Sequence, residues 1–291
     1  MSGVFARQLI AVVGETASGK SALALELAKR FDGELICADS WTVYKDFNIG
    51  TAKPSTLERA AVPHHLLDIA DAHGAFNAVL FQQLAETTIR AIQARGKLPI
   101  LVGGTGLYVD SVLFRYQFPT APLSDLREKL NAQPLEDLLI LAKANGLSIE
   151  GVDIHNKRRV VRLIENDGQL PARQPLRPHT LVLGLRVPRE ELRTRVTERI
   201  DGMLALGLEF EVQHLADTYG WDAEPMKGIG YREWHDYFLG TQNIDQTRAQ
   251  IITATMQLAK RQRTWFKRNS SIQWLDDRSN AVEIVTTFLN K

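Results

Sequence analysis

The chain has 291 residues, 44% of them hydrophobic and 24% charged, with 35 Lys+Arg against 34 Asp+Glu. A single cysteine, Cys37, excludes an internal disulfide and a cysteine-cluster zinc finger, and no apolar run reaches the ~20 residues that a membrane helix requires. The net charge of +1 argues against a polyanionic partner only if charge is spread evenly, and it is not. Residues 1–110 hold 10 basic and 11 acidic side chains, residues 155–199 hold 11 against 5, and residues 260–268 hold 5 against none.

In chain order, Leu9–Val13 is a continuous apolar run, followed by a glycine-rich turn and a helical pattern over Ser21–Arg30. Leu35–Ala38 is a second apolar run, closed by Asp39. Phe76–Gly96 has helical periodicity and stops on Arg95 and Gly96. Leu98–Val102 is a third apolar run, closed by Gly103-Gly104-Thr105-Gly106. Apolar strands alternating with helices predict an α/β fold with a parallel sheet covered on both faces. Residues 116–178 differ: they are proline-rich, with helical patterns around Leu126, Leu138 and Val160 and no strand pattern. They read as a small all-helical insertion between two parts of a catalytic core, 1–115 and 179–291. Thr180–Val187 returns to the sheet, Pro188 opens a helix at its first position, and an amphipathic helix covers Asp245–Arg268. Met1–Arg7 carries no signal-peptide pattern, so a cytoplasmic location with no membrane partner is the expectation.

Gly14-Glu15-Thr16-Ala17-Ser18-Gly19-Lys20-Ser21 fits G-x-x-x-x-G-K-[ST] at every fixed position, after a strand and before a helix. Backbone N–H groups of such a loop close around phosphate oxygens at a helix N-terminus. Lys20 brings a mobile cation, and Ser21 a hydroxyl for Mg²⁺. A P-loop ATPase ends a further strand in a carboxylate that holds the ion. Here the third apolar run ends in Thr105, and Asp39 is the acidic group at the crevice edge. With a diphosphate leaving group in the loop, Thr105 suits its bridging oxygen, Lys20 and Mg²⁺ suit its developing charge, and Asp39 suits a proton on the nucleophile. Those residues describe substitution at a carbon as well as phosphoryl transfer.

Eight motifs in order resemble the tRNA isopentenyltransferase family, bacterial type. They are the Gly14–Ser21 loop, Asp39-Ser40-x-x-Val43-Tyr44, Gly50-Thr51-Ala52-Lys53-Pro54 and His64-His65-Leu66-Leu67-Asp68. Then come Gly103-Gly104-Thr105-Gly106-Leu107-Tyr108, His155-Asn156 with Arg158-Arg159-x-x-Arg162, Gly228-Ile229-Gly230-Tyr231-Arg232-Glu233, and Leu258-Ala259-Lys260-Arg261-Gln262-x-Thr264-Trp265-Phe266.

The resemblance implies a P-loop NTPase-like sheet and transfer of a dimethylallyl group from dimethylallyl diphosphate to N6 of adenosine 37, beside the anticodon. The acceptors would be tRNAs reading codons that begin with U. It makes Asp39 the general base and Thr105, Lys20 and Arg199 its catalytic partners. Gly14, Thr16, Ala17, Ser18, Gly19, Lys20, Ser21 and Arg199 would bind the diphosphate, with Mg²⁺ on Ser21. Asp39, Ser40, Trp41, Thr42, Thr105, Arg127, Arg158, Arg159, Arg162, Lys227, Gly230, Tyr231 and Arg232 would meet tRNA. Lys260, Arg263 and Lys267 share a helix face suited to RNA phosphates. An adenine in a folded loop must be unstacked to enter a pocket. A monomer is expected.

Two residues depart from the family pattern. Thr42, preceded by Trp41, stands where the family has glutamine, which bears on target choice. Glu15 replaces a proline in the P-loop, putting a carboxylate either near the phosphates or facing outward. The insertion is also shorter than usual in the family. The pair His64-His65 with Asp68 is not read as a metal site, because adjacent histidines rarely converge on one ion. Three alternatives compete with the tRNA enzyme: an adenylate isopentenyltransferase acting on AMP, ADP or ATP, a P-loop kinase, and a non-catalytic RNA-binding protein.

Overall fold

The computed structural model describes residues 7–119 and 124–291. Six strands form one wholly parallel sheet: β1 (Leu9–Gly14), β2 (Gly33–Ala38), β3 (His64–His65), β4 (Leu98–Gly103), β5 (Thr180–Leu185) and β6 (Ile272–Leu275). Their order is β3-β2-β4-β1-β5-β6. β1, β2 and β4 are buried at every position, which is why their sequences read as unbroken apolar runs and not as alternation. In register, Val13 lies beside Gly103, and Ala38 beside Gly103 on the other flank. The carboxyl ends of three adjacent strands therefore open onto one edge, where open α/β sheets bind ligands.

The crossover helices are α1 (Lys20–Arg30), α2 (Thr56–Ala61), α3 (Ala78–Ala94) and α4 (Gly106–Leu113). One face of α1 carries Leu23, Ala24, Leu27 and Ala28, the i, i+1, i+4, i+5 stripe that seats it on the sheet. α3 starts at Asn77, whose side chain accepts from the Val79 and Leu80 amides and so caps two orphan donors. Three further helices, α5 (Ser124–Ala132), α6 (Leu135–Ala144) and α7 (Lys157–Glu165), belong to a second compact unit, Phe114–Pro175. That unit has its own core of Leu130, Leu138, Val160 and Val161. The remaining helices, α8 (Arg189–Ala205), α9 (Leu208–Tyr219), α10 (His235–Phe238), α11 (Ile244–Phe266) and α12 (Ala281–Leu289), return to the first unit, Met1–Leu113 with Leu176–Lys291.

Some expectations shift. Pro188 is the residue before α8 (φ −55, ψ 146), not its first helical residue, because its extended ψ leaves it outside the helix. β3 and β6 carry no sequence signal. β3 is two histidines long, and in β6 only the first and last of four residues, Ile272 and Leu275, are buried, so neither strand shows a period of two.

Where β2 and β4 end, the backbones approach too closely for any side chain. A Cβ on Gly103 would lie 2.1 Å from the Ala38 carbonyl oxygen. Gly103→Ala is therefore expected to destabilise the protein by at least about 2 kcal/mol, read as a lowered urea midpoint with unchanged m-value.

Candidate active site

The P-loop joins β1 to α1, with Gly19 immediately before the helix and Ala17 in the left-handed region at φ 58. Lys20 donates from Nζ to the Glu15 carbonyl at 3.2 Å, folding its side chain back over the loop. Burial and the nearby Arg199 lower its pKa to about 8, against the opposing pull of Asp39 and Glu15. Arg199 reaches in from α8, its Nη1 3.4 Å from the Thr16 hydroxyl, and Asp39 interacts with both cations. Arg195, one turn earlier on the same helix, donates to the Ser18 carbonyl at 3.3 Å.

The far face of the loop is held by α11. Gln262 accepts the Thr16 amide at 2.8 Å and donates to the Gly104 carbonyl at 3.0 Å, bridging the loops after β1 and β4. Glu15, only 4% exposed, turns outward to a two-pronged ion pair with Arg263, which also donates to the Val187 carbonyl at 2.8 Å. Of the two positions left open for Glu15, the structure has the one turned away from the cavity. One expectation changes here: Arg263 is engaged by Glu15, so it does not share a free basic face with Lys260 and Lys267. Sequence reasoning missed both Gln262 and Arg263 as loop supports; their place in the Lys260–Phe266 motif was the available signal.

Asp39 follows β2, and its Oδ1 accepts the Trp41 amide at 2.9 Å. Thr105 follows β4, and its hydroxyl accepts the Ser40 amide at 3.0 Å and lies 3.3 Å from the Ser40 hydroxyl. Ser40 and Thr105 are thus hydrogen-bonded to each other, while Asp39 is held separately by the Trp41 amide. Thr16, Lys20, Ser21, Asp39 and Arg199 line a cavity of about 220 Å³ whose apolar wall includes Leu35, Cys37, Val102, Val196 and Met203. The Cys37 thiol is pushed up to about 12 by burial and by Asp39, so it contributes as a small apolar group.

Trp41, Thr42, Gly230 and Tyr231 line the same cavity. Thr42 is buried, with a hydroxyl that finds no hydrogen-bond partner among the described residues. Tyr231 is 1% exposed, and its hydroxyl donates to Glu211 at 2.7 Å. Lys227 and Arg232 are exposed and pair with Glu224 and Glu233. In the second unit, Arg127 and Arg162 both bind Glu165, whose side chain is fully buried, whereas Arg158 and Arg159 are exposed on α7 without an ion-pair partner among the described residues. The His64-His65-Asp68 group has other duties: His65 contacts Glu34 at 2.6 Å, and Asp68 binds Lys53 and Arg59.

A glycine-rich phosphate loop on a parallel sheet, with Lys20, Arg199 and the strand-end carboxylate Asp39 lining one cavity, defines a P-loop protein. The comparisons with known proteins narrow that class. The IPP transferase family model matches residues 42–269, and the chain belongs to that family. It is 40% identical over 274 residues to a tRNA dimethylallyltransferase of Roseiflexus sp. (strain RS-1), covering 89% of this chain and 90% of the relative. A second, from Anoxybacillus flavithermus, is 39% identical over 280 residues, covering 92% and 90%. Among solved structures, the tRNA isopentenylpyrophosphate transferase of Bacillus halodurans superimposes with a TM-score of 0.76 at 33% identity, covering 98% of this chain and 97% of the other. A eukaryotic dimethylallyltransferase acting on tRNA gives 0.83 at 26% identity, covering 98% and 80%.

Two predictions follow from this geometry. Arg263→Ala leaves the buried Glu15 carboxylate unpaired and is expected to cost about 3 kcal/mol in urea unfolding, with Glu15→Gln in the same chain recovering much of the loss. Because the free Lys20 titrates near 8, an anion in the loop must draw a proton back onto it above that pH. Binding of an alkyl diphosphate, whose own ionisations are complete below this range, should take up close to one proton at pH 9 and almost none at pH 7. Calorimetry in two buffers of different ionisation enthalpy measures that uptake.

Proposed function

We propose that this pocket transfers a dimethylallyl group from dimethylallyl diphosphate to N6 of adenosine 37 in tRNA, giving N6-(dimethylallyl)adenosine and diphosphate. The observation that carries this reading is the meeting of the Lys20 and Arg199 cations with Asp39 at a cavity that also has an apolar wall of Leu35, Cys37, Val102, Val196 and Met203. The loop after β4 supplies Thr105 where an ATP-hydrolysing P-loop protein would place a carboxylate. A prenyl tail suits the apolar wall, and a diphosphate suits the loop.

The chemistry has two separate needs. The exocyclic amine is a weak nucleophile, so Asp39 accepts its proton as the new C–N bond forms. The allylic carbon loses diphosphate, whose growing charge is met by P-loop amides, Lys20 and Arg199, with Thr105 on the bridging oxygen. Trp41 beside the cavity offers a flat apolar surface to an unstacked base. Mg²⁺ fits Ser21, the first-turn hydroxyl that lines the cavity. No group of three or more His, Cys, Asp or Glu that could hold an ion occurs among the described residues, so the Ser21 hydroxyl would be the chain's contribution to holding it. When bound, that ion supplies further neutralisation of the leaving group.

For the RNA grip, α7 offers Arg158 and Arg159, while Arg127 and Arg162 serve Glu165 first. Lys260 and Arg261 on α11, and Lys267 and Arg268 just past its end, remain exposed. No helix among the described residues is long and apolar enough to cross a membrane.

Labelled dimethylallyl diphosphate offered with either AMP or an anticodon stem-loop containing A36-A37 tests the acceptor; label in AMP alone would overturn the tRNA reading. Asp39→Asn should lower kcat by at least about 10²-fold while diphosphate affinity holds. Replacing Arg158 and Arg159 together by Ala should flatten the dependence of log K on log salt by up to about 2, and an unchanged slope would remove α7 from the interface.

A further inference from the structure

Gly50, Thr51, Ala52, Lys53 and Pro54 form part of the cavity lining, yet the segment from Phe47 to Pro54 belongs to no helix or strand. A wall made of loop needs an anchor, and Glu211 on α9 supplies it. Its Oε2 accepts the Asn48 amide at 3.2 Å and the Ile49 amide at 2.8 Å. Its Oε1 accepts the Gly50 amide at 3.0 Å and the Tyr231 hydroxyl at 2.7 Å. One carboxylate thus collects three consecutive backbone donors and a phenol, a set that suits a full negative charge and that a carboxamide cannot satisfy. Burial and Glu211 together raise the Tyr231 pKa well above its usual value, so the phenol stays a donor.

The two walls that Glu211 joins also interlock. A Cβ on Gly50 would lie 2.5 Å from the Tyr231 ring, so only glycine lets the loop close against it. Phe47 meets the same ring edge-on at 5.1 Å. Lys53, its side chain 2% exposed, then ties the loop to the segment after Asp39 by donating to the Tyr44 carbonyl at 2.5 Å. None of Glu211's hydrogen bonds involves the P-loop, Lys20 or Arg199.

We propose that Glu211 is a positioning residue for the acceptor. It fastens the 47–54 loop to Gly230-Tyr231, so that the wall beside Trp41 and Thr42 is set before a base enters. This rests on the reading of the pocket as a prenyl transferase whose diphosphate end lies at the P-loop.

Four measurements on the full chain test it. Wild type, Glu211→Ala, Glu211→Asp and Tyr231→Phe are compared by KM and kcat with an anticodon stem-loop, by Kd for inorganic diphosphate, by thermal midpoint, and by hydrogen exchange at amides 48–50. Glu211→Ala is expected to speed exchange at those amides and raise the acceptor KM at least tenfold, with diphosphate Kd within twofold of wild type. Glu211→Asp should recover part of the KM, and Tyr231→Phe, which removes one donor of four, should change it by only two- to threefold. Unchanged exchange in Glu211→Ala would show that another contact holds the loop. Faster exchange with unchanged KM would overturn the positioning role, and so would diphosphate affinity falling in step with KM. If wild type alkylates AMP and not the stem-loop, the tRNA reading fails by itself, and the same comparison runs with AMP as acceptor.

Discussion

The site depends first on how α11 braces the P-loop. A loop that offers its amides to an anion must hold them open in the anion's absence, and backbone donors left alone in a half-buried place are costly. Gln262 takes up the Thr16 amide and hands its own donor to Gly104, while Arg263 neutralises Glu15 behind the loop. The same helix carries Trp265, whose indole N–H donates to Asp110 at 2.8 Å and whose ring fills the space a Cβ on Gly106 would need. Three side chains within one turn of α11 thus set the spacing between the ends of β1 and β4. Under the proposed reading, diphosphate would meet a scaffold already shaped, which is the condition for electrostatic stabilisation that needs no reorganisation.

Charge in the cavity is arranged by separation. Lys20 and Arg199 press on each other, and each is buried enough to lose some of its hold on a proton. That arrangement is costly without an anion and favourable with one, so the same two residues that weaken the empty site tighten the filled one. Asp39 stands close enough to moderate both cations, yet its Oδ1 is oriented by the Trp41 amide and not by a direct ion pair. For the proposed chemistry this matters, because a carboxylate locked onto arginine would be a poor base, whereas one held by a backbone amide keeps an oxygen for a substrate proton.

How much of this is legible in the sequence depends on where each partner lies along the chain. The P-loop is legible because its glycines, lysine and serine are consecutive and follow a strand. Asp39 and Thr105 are legible because a strand end announces itself by the loss of apolar residues, and parallel order puts all such ends together. The braces are not. Gln262 and Arg263 meet residues 246 and 248 positions away, and Glu211 meets a loop 161 to 163 positions away, so no local pattern marks them. The arginines of the inserted unit, Arg127 on α5 and Arg158, Arg159 and Arg162 on α7, show the opposite failure. Four basic residues look equivalent in a string, but a single buried Glu165 commits two of them. β3 and β6 were unreadable for a simpler reason, since two and four residues are too few to establish a period.

The parallel order has a consequence for how the enzyme comes into being. β1, with the phosphate loop at its tip, lies in the middle of the sheet, paired on one side to β4 and on the other to β5, which follows the inserted helical unit. During synthesis the first strand must wait for about 170 further residues before its second edge is covered, and longer still for Gln262 and Arg263 to arrive behind the loop. Until then its edge is open and its amides are unbraced, a state prone to pairing with the wrong strand. A ribosome-bound fragment ending before α11 therefore carries the phosphate motif in full and lacks the supports that make it a binding site.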